Sequence, residues 1–242
     1  MHHFFIDQTP VDDNIVLEGE DYNHIVNALR KKIRDNISLI PVKSSELYFC
    51  EIIEILKKQV VVKILSKEPQ PQQKLPKITI AQSLPKGQKM EEIIQKCTEL
   101  GAYDFLPLVT RRTVPDISLK IAKKIERWQK IAKEAAIQSE SYFVPMVYNP
   151  IDLADIMQII KQEQYNKVFC LKERAQKPIK DLINLQTDRK LMFIIGPEGG
   201  FSEEEDRFFQ QIGIEQVNIS DKILRTETAG PAIMAIMGYI YS

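Results

Sequence analysis

A polar segment that contains two prolines, Glu68–Gln73, separates two parts of the chain with different hydrophobic patterns. Before it lie three short runs typical of strands: Ile37–Val42, Leu47–Leu56 and Gln59–Leu65. The Lys57-Lys58 step between the last two predicts a hairpin turn. Because proline continues neither a helix nor a central strand, the polar segment is predicted as a domain linker. The sequence therefore predicts two domains, a small β-barrel over residues 1–70 and a second domain over residues 75–242.

The second part alternates strand-like runs with amphipathic, helix-length segments. The predicted strands are Ile78–Gln82, Phe105–Val109, Val168–Leu171, Leu191–Ile195 and Gln216–Ile219. The predicted helices include one on which Met90 to Leu100 share an apolar face, ended by Gly101, and two others, Leu119–Glu140 and Ala232–Tyr241. This alternation is typical of an α/β domain with a mostly parallel sheet covered on both faces. Ligands of such sheets bind beyond the carboxyl ends of the strands.

Composition restricts the class of protein. The chain is 44% hydrophobic and 27% charged, which is typical of a globular protein without long disordered tracts. The longest apolar runs are too short to cross a bilayer and the N-terminus lacks the pattern of a signal peptide, so we expect a cytoplasmic protein with no membrane partner. Cys50, Cys97 and Cys170 form no CxxC pair, and we interpret them as core residues rather than as metal ligands.

Positive charge is concentrated in one segment although the net charge of the chain is zero. From Thr110 to Lys133 there are eight basic and two acidic residues. Such a run is as often a solvated helix face as a surface for nucleic acid. A second basic cluster, Arg30 to Arg34, ends a predicted helix over Asp21–Lys32.

A glycine-rich turn follows one predicted strand, in Gly196-Pro197-Glu198-Gly199-Gly200. Ser202 and Glu205 then form the pattern of a capping box for the next helix. The turn matches neither GxGxxG nor the phosphate-loop motif, which disfavours ordinary dinucleotide and NTP enzymes. All three histidines, His2, His3 and His24, precede the α/β part. That part therefore has no histidine for a Ser-His-Asp triad, a metal site or a general base.

Five motifs in order resemble the ribosomal RNA small-subunit methyltransferase E family of the SPOUT superfamily. They are Ser83–Glu91, Gln95–Gly101, Arg127–Ile131 with Glu134–Ser139, Gly196–Gly200 and Ile223–Ala229. With the N-terminal segment, they cover almost the entire chain.

The resemblance implies S-adenosylmethionine-dependent methylation of N3 of one uridine in 16S ribosomal RNA, either as naked RNA or in the small ribosomal subunit. It also implies a PUA-like RNA-binding barrel, a catalytic domain with a deep trefoil knot, and a homodimer. By position, the cofactor would be bound by Leu171, Ile195, Gly196, Pro197, Glu198, Gly199, Gly200, Ile219, Ser220, Ile223, Leu224 and Arg225. Catalytic roles would fall to Arg225, Glu227 and Glu198, and RNA contacts to Arg30, Lys86, Arg112 and Arg225. No metal is implied.

Three positions depart from the family pattern. Ser141 stands where arginine is usual, Ser220 lies in a loop that usually has glycine, and Arg34 replaces a usual glycine. The alternatives are another SPOUT activity, such as ribose 2′-O-methylation or methylation of transfer RNA, a non-catalytic RNA-binding protein of the same fold, and an unrelated α/β enzyme that acts on a small metabolite.

Overall fold

The computed structural model describes residues 3–7, 10, 12–42, 44–71, 73–113, 121–175, 177–179, 183 and 188–241. The chain forms two compact units, Met1–Gln72 with Ala136–Val144, and Gln73–Ala135 with Pro145–Ser242. The segment Ala136–Val144 thus groups with the first unit, although the sequence predicts it within the second domain. Predictions that concern His2, Gln72, Asp116, Leu119 and Lys120 lie outside the described residues.

The first unit is built on a five-stranded sheet with the order β1-β3-β4-β5-β2. Its strands are β1 (His3–Ile6), β2 (Asn14–Glu18), β3 (Asn36–Pro41), β4 (Glu46–Leu56) and β5 (Gln59–Pro69). All pairs are antiparallel except β1 with β3. The predicted turn is confirmed, since Leu56 pairs with Gln59 and Lys58 has φ 70°. Apolar side chains that alternate along these strands, such as Leu39, Ile52 and Val62, form one buried core.

Two predictions for this unit are wrong. The helix is shorter than predicted, because α1 (Gly19–Tyr22) continues only as a π-helical turn, Asn23–Ala28, which ends before the basic cluster. The strand β5 extends into the predicted linker as far as Pro69. Past Ile64, whose N–H donates to Asp13 O, the described strand pairs with β4 alone. Proline is tolerated where one side of a strand has no ladder.

Arg34 adopts the left-handed backbone conformation, with φ 77°. Its N–H donates to Ile52 O at 2.8 Å, which fixes the turn against β4. A residue with a side chain is strained there by about 1–2 kcal/mol, whereas glycine is not. This conformation explains why the family that the sequence resembles usually has glycine at this position.

The second unit contains a seven-stranded sheet, predicted to be mostly parallel, in which every pair is parallel. The order is β12-β10-β11-β6-β7-β8, with β9 also paired to β7. The strands are β6 (Lys77–Ser83), β7 (Asp104–Val109), β8 (Met146–Val147), β9 (Ile151–Asp152), β10 (Lys167–Leu171), β11 (Lys190–Ile195) and β12 (Glu215–Val217). The central strands β6 and β11 are buried because helices cover both faces, and β11 is almost entirely apolar.

Helices α2 (Lys89–Glu99), α3 (Ile121–Gln138) and α6 (Thr226–Ile240) contribute to the core on one face of the sheet. Helices α4 (Ile156–Glu163) and α5 (Glu203–Gln211) contribute to the core on the other. Gly101, with φ 88°, ends the α2 segment as predicted, but Leu100 is exposed rather than buried. None of the helices in the described part of the chain is long and apolar enough to cross a membrane.

The C-terminal helix begins six positions earlier than predicted, at Thr226 rather than at Ala232. Gly230 and Pro231 suggest a break, yet both lie inside α6. Gly230 is buried, and a Cβ on it would lie 3.0 Å from Cys97 Sγ in α2, so only glycine allows this close approach. The early start places Thr226 and Glu227 in the first turn of a helix.

Asp104, a buried carboxyl at the start of β7, makes the stability of the unit depend on pH. Burial raises its pKa from 3.8 to about 6, although Lys190 and Lys77 oppose the change. The folded state then binds more protons than the unfolded state between these values, so the free energy of unfolding should fall as pH rises from about 4 to about 6. We expect Asp104→Asn to remove this component and to raise stability at pH 7 by about 1–3 kcal/mol. Urea unfolding at pH 4.5 and 7 tests this, and equal pH dependence in both proteins would contradict it.

Candidate active site

A cavity of about 630 Å³ lies beyond the carboxyl ends of β10, β11 and β12. These strands are neighbours, and the chain passes from β10 to β11 on one side and then returns to β12 on the other. Such a reversal of strand order opens a crevice at the sheet edge. The cavity is lined by all twelve residues predicted for the cofactor, Leu171, Ile195, Gly196, Pro197, Glu198, Gly199, Gly200, Ile219, Ser220, Ile223, Leu224 and Arg225. Glu227, predicted to be catalytic, also lines it.

The glycine turn forms one wall of the cavity. Gly200 N–H donates to Pro197 O at 2.9 Å, and Gly200 has φ 66°, which favours glycine. A Cβ on Gly196 would lie 3.2 Å from the ring of Phe201. The predicted capping box follows: Glu205 N–H donates to Ser202 Oγ, and Ser202 N–H donates to Glu205 Oε2. These contacts fix the backbone of the turn before α5 begins.

A buried hydrogen-bond chain joins the turn to α6. Thr226 Oγ1 donates to Gly196 O at 2.6 Å, and Gln82 Nε2 donates to Thr226 Oγ1 at 3.0 Å. Gln82 lies near the end of β6, so three segments distant in sequence are fixed around one carbonyl group. The chain sets the position of the first turn of α6 relative to the glycine turn.

Two carboxylates and one ammonium group meet on the cavity wall. Lys89 Nζ donates to Glu198 Oε1 at 2.9 Å, and Lys86 N–H donates to the same oxygen at 3.1 Å. Lys89 Nζ also lies 3.3 Å from Glu227 Oε2, but the geometry is not that of a hydrogen bond. Glu227 Oε2 is buried and has no hydrogen-bond partner among the described residues.

This arrangement keeps all three groups charged near neutral pH. The hydrogen bond to Glu198 is the main cause that raises the pKa of Lys89. Backbone hydrogen bonding is the main cause that lowers the pKa of Glu227, helped by Lys89. Burial would raise the pKa of Glu198, but hydrogen bonds from Lys89 and from backbone N–H groups outweigh it and lower that pKa. Glu227 is therefore an ionised but weak base.

The four residues predicted to contact RNA lie in different places. Arg112 and Arg225 line the cavity, and Arg112 donates to Gly199 O. Lys86 is exposed on the loop bound to Glu198, and Arg30 is exposed in the first unit. Within the basic run, Arg111 pairs with Glu204, and Arg127 pairs with Glu91 at 2.6 Å. Part of the positive charge in that run is thus balanced locally.

Several cavity residues were not among the predicted site residues. Lys89 and Thr226 lie within the family motifs, but nothing in the sequence shows that their side chains meet the glycine turn. Lys172 and Asp206 pair at 2.7 Å on another part of the wall. The pattern of charges after β10 and in α5 does not predict this pairing.

The cysteines are core residues, as predicted, since Cys50, Cys97 and Cys170 are all free and buried. Burial raises the pKa of the Cys50 thiol to about 12. In the part of the chain that the structure describes, no three His, Cys, Asp or Glu residues are grouped so as to hold a metal ion.

Two family models match this chain, one in each of its two parts. A family model described as RNA methyltransferase domain matches residues 71–238, and one described as RNA methyltransferase PUA domain matches residues 17–65. The ribosomal RNA small subunit methyltransferase E of Bacillus subtilis is 34% identical over 99% of this chain and 96% of its own.

Two solved structures are similar over nearly the full length. The ribosomal RNA small subunit methyltransferase E of Neisseria gonorrhoeae, bound to S-adenosylmethionine, has 27% identity and a TM-score of 0.87, and 99% of this chain and 98% of that chain are covered. A putative methyltransferase of Legionella pneumophila with the same cofactor has 28% identity and a TM-score of 0.85, over 98% and 97% of the two chains. From the matched domains and the extent of these similarities, the chain belongs to the ribosomal RNA small subunit methyltransferase E family.

Proposed function

We propose that the protein methylates N3 of one uridine in 16S ribosomal RNA with S-adenosylmethionine as methyl donor. The observation that carries the proposal is the cavity, which joins the glycine turn, the end of β10 and the start of α6 within a chain of this family. Related proteins have the corresponding name, and the Neisseria and Legionella structures bind the cofactor. We also propose a cytoplasmic location, which suits either 16S RNA or the small ribosomal subunit as substrate.

The cavity suits S-adenosylmethionine in size and chemistry. A volume of about 630 Å³ lies within the range of small-molecule sites. Leu171, Ile195, Ile219 and Leu224 offer apolar surface for an adenine ring. No atom lies within 4 Å of the position that a Cβ on Gly200 would occupy. A ligand can therefore approach the backbone of the turn closely. When bound, the cofactor supplies an electrophilic methyl group on a sulfonium, which is a good leaving group.

The chain itself would contribute mainly alignment. Orientation of two reactants supplies up to about 7–11 kcal/mol in well-ordered systems. The turn and the first turn of α6, fixed by Gln82 and Thr226, provide rigid walls for this purpose. The uridine must also lose its N3 proton. We propose that N3 ionises to the solvent before methyl transfer, and that Glu227, whose pKa is lowered and which faces the Lys89 ammonium, holds that ammonium rather than taking the proton.

The target base must leave any duplex before it reacts, because N3 lies on the Watson-Crick edge. We propose that Arg112 and Arg225 at the cavity, with Lys86, bind the RNA near the flipped base. Arg30 would add a contact from the PUA domain. Each lost phosphate contact should lower the slope of log affinity against log salt by about one.

We further propose that the α/β domain contains the trefoil knot of the family and that the protein is a homodimer. Helix α6 is rich in apolar residues, yet Tyr239 on it is 85% exposed, and Ile223 in the preceding loop is 71% exposed. Exposed apolar groups of this kind are typical of an interface.

We expect Tyr239→Asp to shift the protein from dimer to monomer, because a charge at an apolar interface is desolvated without a partner. Light scattering coupled to size exclusion measures the mass at a given concentration. The same change at an exposed residue outside α6, Met146→Asp, is the control and should leave the mass unchanged. A dimeric Tyr239→Asp protein would contradict the location of the interface.

The proposed activity is tested by transfer of a tritiated methyl group from S-adenosylmethionine. Unmethylated 16S RNA and small subunits are incubated separately with the protein, and label in RNA is counted after acid precipitation. We expect label in at least one substrate and none in 23S RNA. Label in transfer RNA alone would favour another activity of the same fold, and no label in any RNA would oppose the proposal.

A further inference from the structure

Lys89 places its ammonium group on the cavity wall between Glu198 and Glu227. Of its three hydrogens, one is directed to Glu198 Oε1, at 2.9 Å. Glu227 Oε2 attracts the ammonium from 3.3 Å without hydrogen-bond geometry. With Glu198 taking one hydrogen and Glu227 close enough to take a second, at least one hydrogen remains for an incoming acceptor, and the side chain is 34% exposed, so such an acceptor can reach it.

Such a donor would assist the methylation of uridine at N3. The N3 lone pair becomes available only after the imide proton leaves, and the negative charge then spreads over N3, O2 and O4. A cation that donates to O2 or O4 stabilises this anion relative to the neutral base and lowers the pKa of N3. The proton also lies in the ring plane, along the direction in which the new N–C bond must form. A donor at a carbonyl oxygen leaves that direction open, whereas a base in contact with the N3 proton blocks it.

We propose that Lys89 is a catalytic residue that donates a hydrogen bond to a uracil carbonyl oxygen and so acidifies N3. The inference rests on the proposed function. The N3–H bond breaks, its electron pair stays on the base, and the proton passes to water. The N3 lone pair then bonds to the methyl carbon while the carbon–sulfur bond breaks and its electron pair moves to sulfur. Glu198 and Glu227 are positioning residues that hold the ammonium in place.

If the contact is made to O4, it also distinguishes uridine from cytidine. Uracil offers an acceptor, O4, beside N3, whereas cytosine has an amino group there, which is a donor. Two donors facing each other cannot form a hydrogen bond, and both would lose contact with water.

Other cations of the cavity are less suited to this role. Lys172 Nζ is held by Asp206 at 2.7 Å, and Arg112 donates to Gly199 O. Arg225 precedes α6 and is exposed, which suits a phosphate contact. Lys89 combines a fixed position, a hydrogen that remains for an acceptor, and a place beside the buried oxygen of Glu227.

The first test is the pH dependence of the single-turnover rate on an RNA fragment that contains the methylated uridine. Lys89→Met keeps the length of the side chain but removes the charge, and we expect the rate at pH 7 to fall about 10- to 100-fold. The deficit should shrink as pH rises, because N3 then ionises without help. Lys96→Met, which removes a charge from an exposed position of the same helix, should retain the wild-type rate. Lys89→Arg should recover part of the loss.

A deficit of constant size at every pH, or a wild-type rate for Lys89→Met, would overturn the inference. Calorimetric binding of S-adenosylmethionine and the thermal unfolding midpoint identify a variant that has merely lost its fold. Glu227→Gln also separates the two roles. A positioning role through Lys89 predicts that the double variant Lys89→Met/Glu227→Gln is no slower than Lys89→Met alone, whereas an independent general base at Glu227 predicts a further loss of rate in the double variant.

The second test measures the acidity of the bound base without methyl transfer. The target uridine is replaced by 5-fluorouridine, and the ¹⁹F chemical shift of the RNA bound to cofactor-free protein is followed against pH. We expect the bound base to ionise at a pH about one to two units lower with wild type than with Lys89→Met. Equal midpoints would refute the role of Lys89 even if the enzyme is active. A wild-type protein that methylates no uridine would instead refute the proposed function.

Discussion

Replacement of Gly196 by valine is expected to weaken the binding of S-adenosylmethionine about 10- to 100-fold. A Cβ at this position would lie 3.2 Å from the ring of Phe201 and 3.5 Å from the Cα of Gly200, so the turn must shift. The carbonyl group of Gly196 also accepts from Thr226, and its displacement would strain that hydrogen bond. Titration calorimetry on the purified variant measures the effect.

The matched control is Gly213→Ala, in the loop before β12. Gly213 has φ 73°, so alanine there is strained by about 1–2 kcal/mol, but no atom lies within 4 Å of the added Cβ and the residue does not line the cavity. This variant should lose stability without losing affinity. Wild-type affinity in Gly196→Val would show that the turn does not form the binding site.

Phe193→Ala is expected to lower the free energy of unfolding by about 3–5 kcal/mol. Phe193 lies in the middle of β11, is fully buried, and stacks on Phe169 of β10 with ring centroids 5.6 Å apart. Removal of the ring leaves a cavity between the sheet and the helices that pack on this face, which the rigid parallel strands fill only in part. Urea unfolding followed by circular dichroism measures the change.

Phe193→Leu is the comparison variant, since it keeps most of the apolar volume and should cost clearly less. A loss of under about 1 kcal/mol for Phe193→Ala would mean that the core relaxes around the missing ring. Such a result would also argue against β11 as the rigid support of the glycine turn.

The sequence predicts most of the sheet because its central strands are short runs rich in apolar residues. Both Ile78–Gln82 and Leu191–Ile195 lie within observed strands. The strands β8 and β9 have no such signal, because two residues are too few to form a hydrophobic pattern. The sequence predicts too late a start for α6 because Gly230 and Pro231 are usually helix breakers. Here the glycine permits close packing on Cys97, which favours a helix through both residues.

The candidate site was predictable in outline from the resemblance, because the residues after parallel strands meet at one sheet edge. The contacts that shape it were not. Gln82 and Thr226 are 144 positions apart, and no periodicity relates them. The pair formed by Lys89 and Glu227 depends in the same way on how α2 and α6 pack together. Such contacts follow from tertiary packing, which single-sequence patterns do not encode.

The most direct test of the proposed function is the identity of the methylated nucleoside. Unmodified 16S RNA and small ribosomal subunits are incubated with the protein and S-adenosylmethionine, digested, and analysed by mass spectrometry with fragment mapping. We predict 3-methyluridine at one position, in whichever substrate form presents that base unpaired. A different methylated nucleoside, or no methylation despite measurable cofactor binding, would contradict the proposal and, in the second case, favour an RNA-binding protein without turnover.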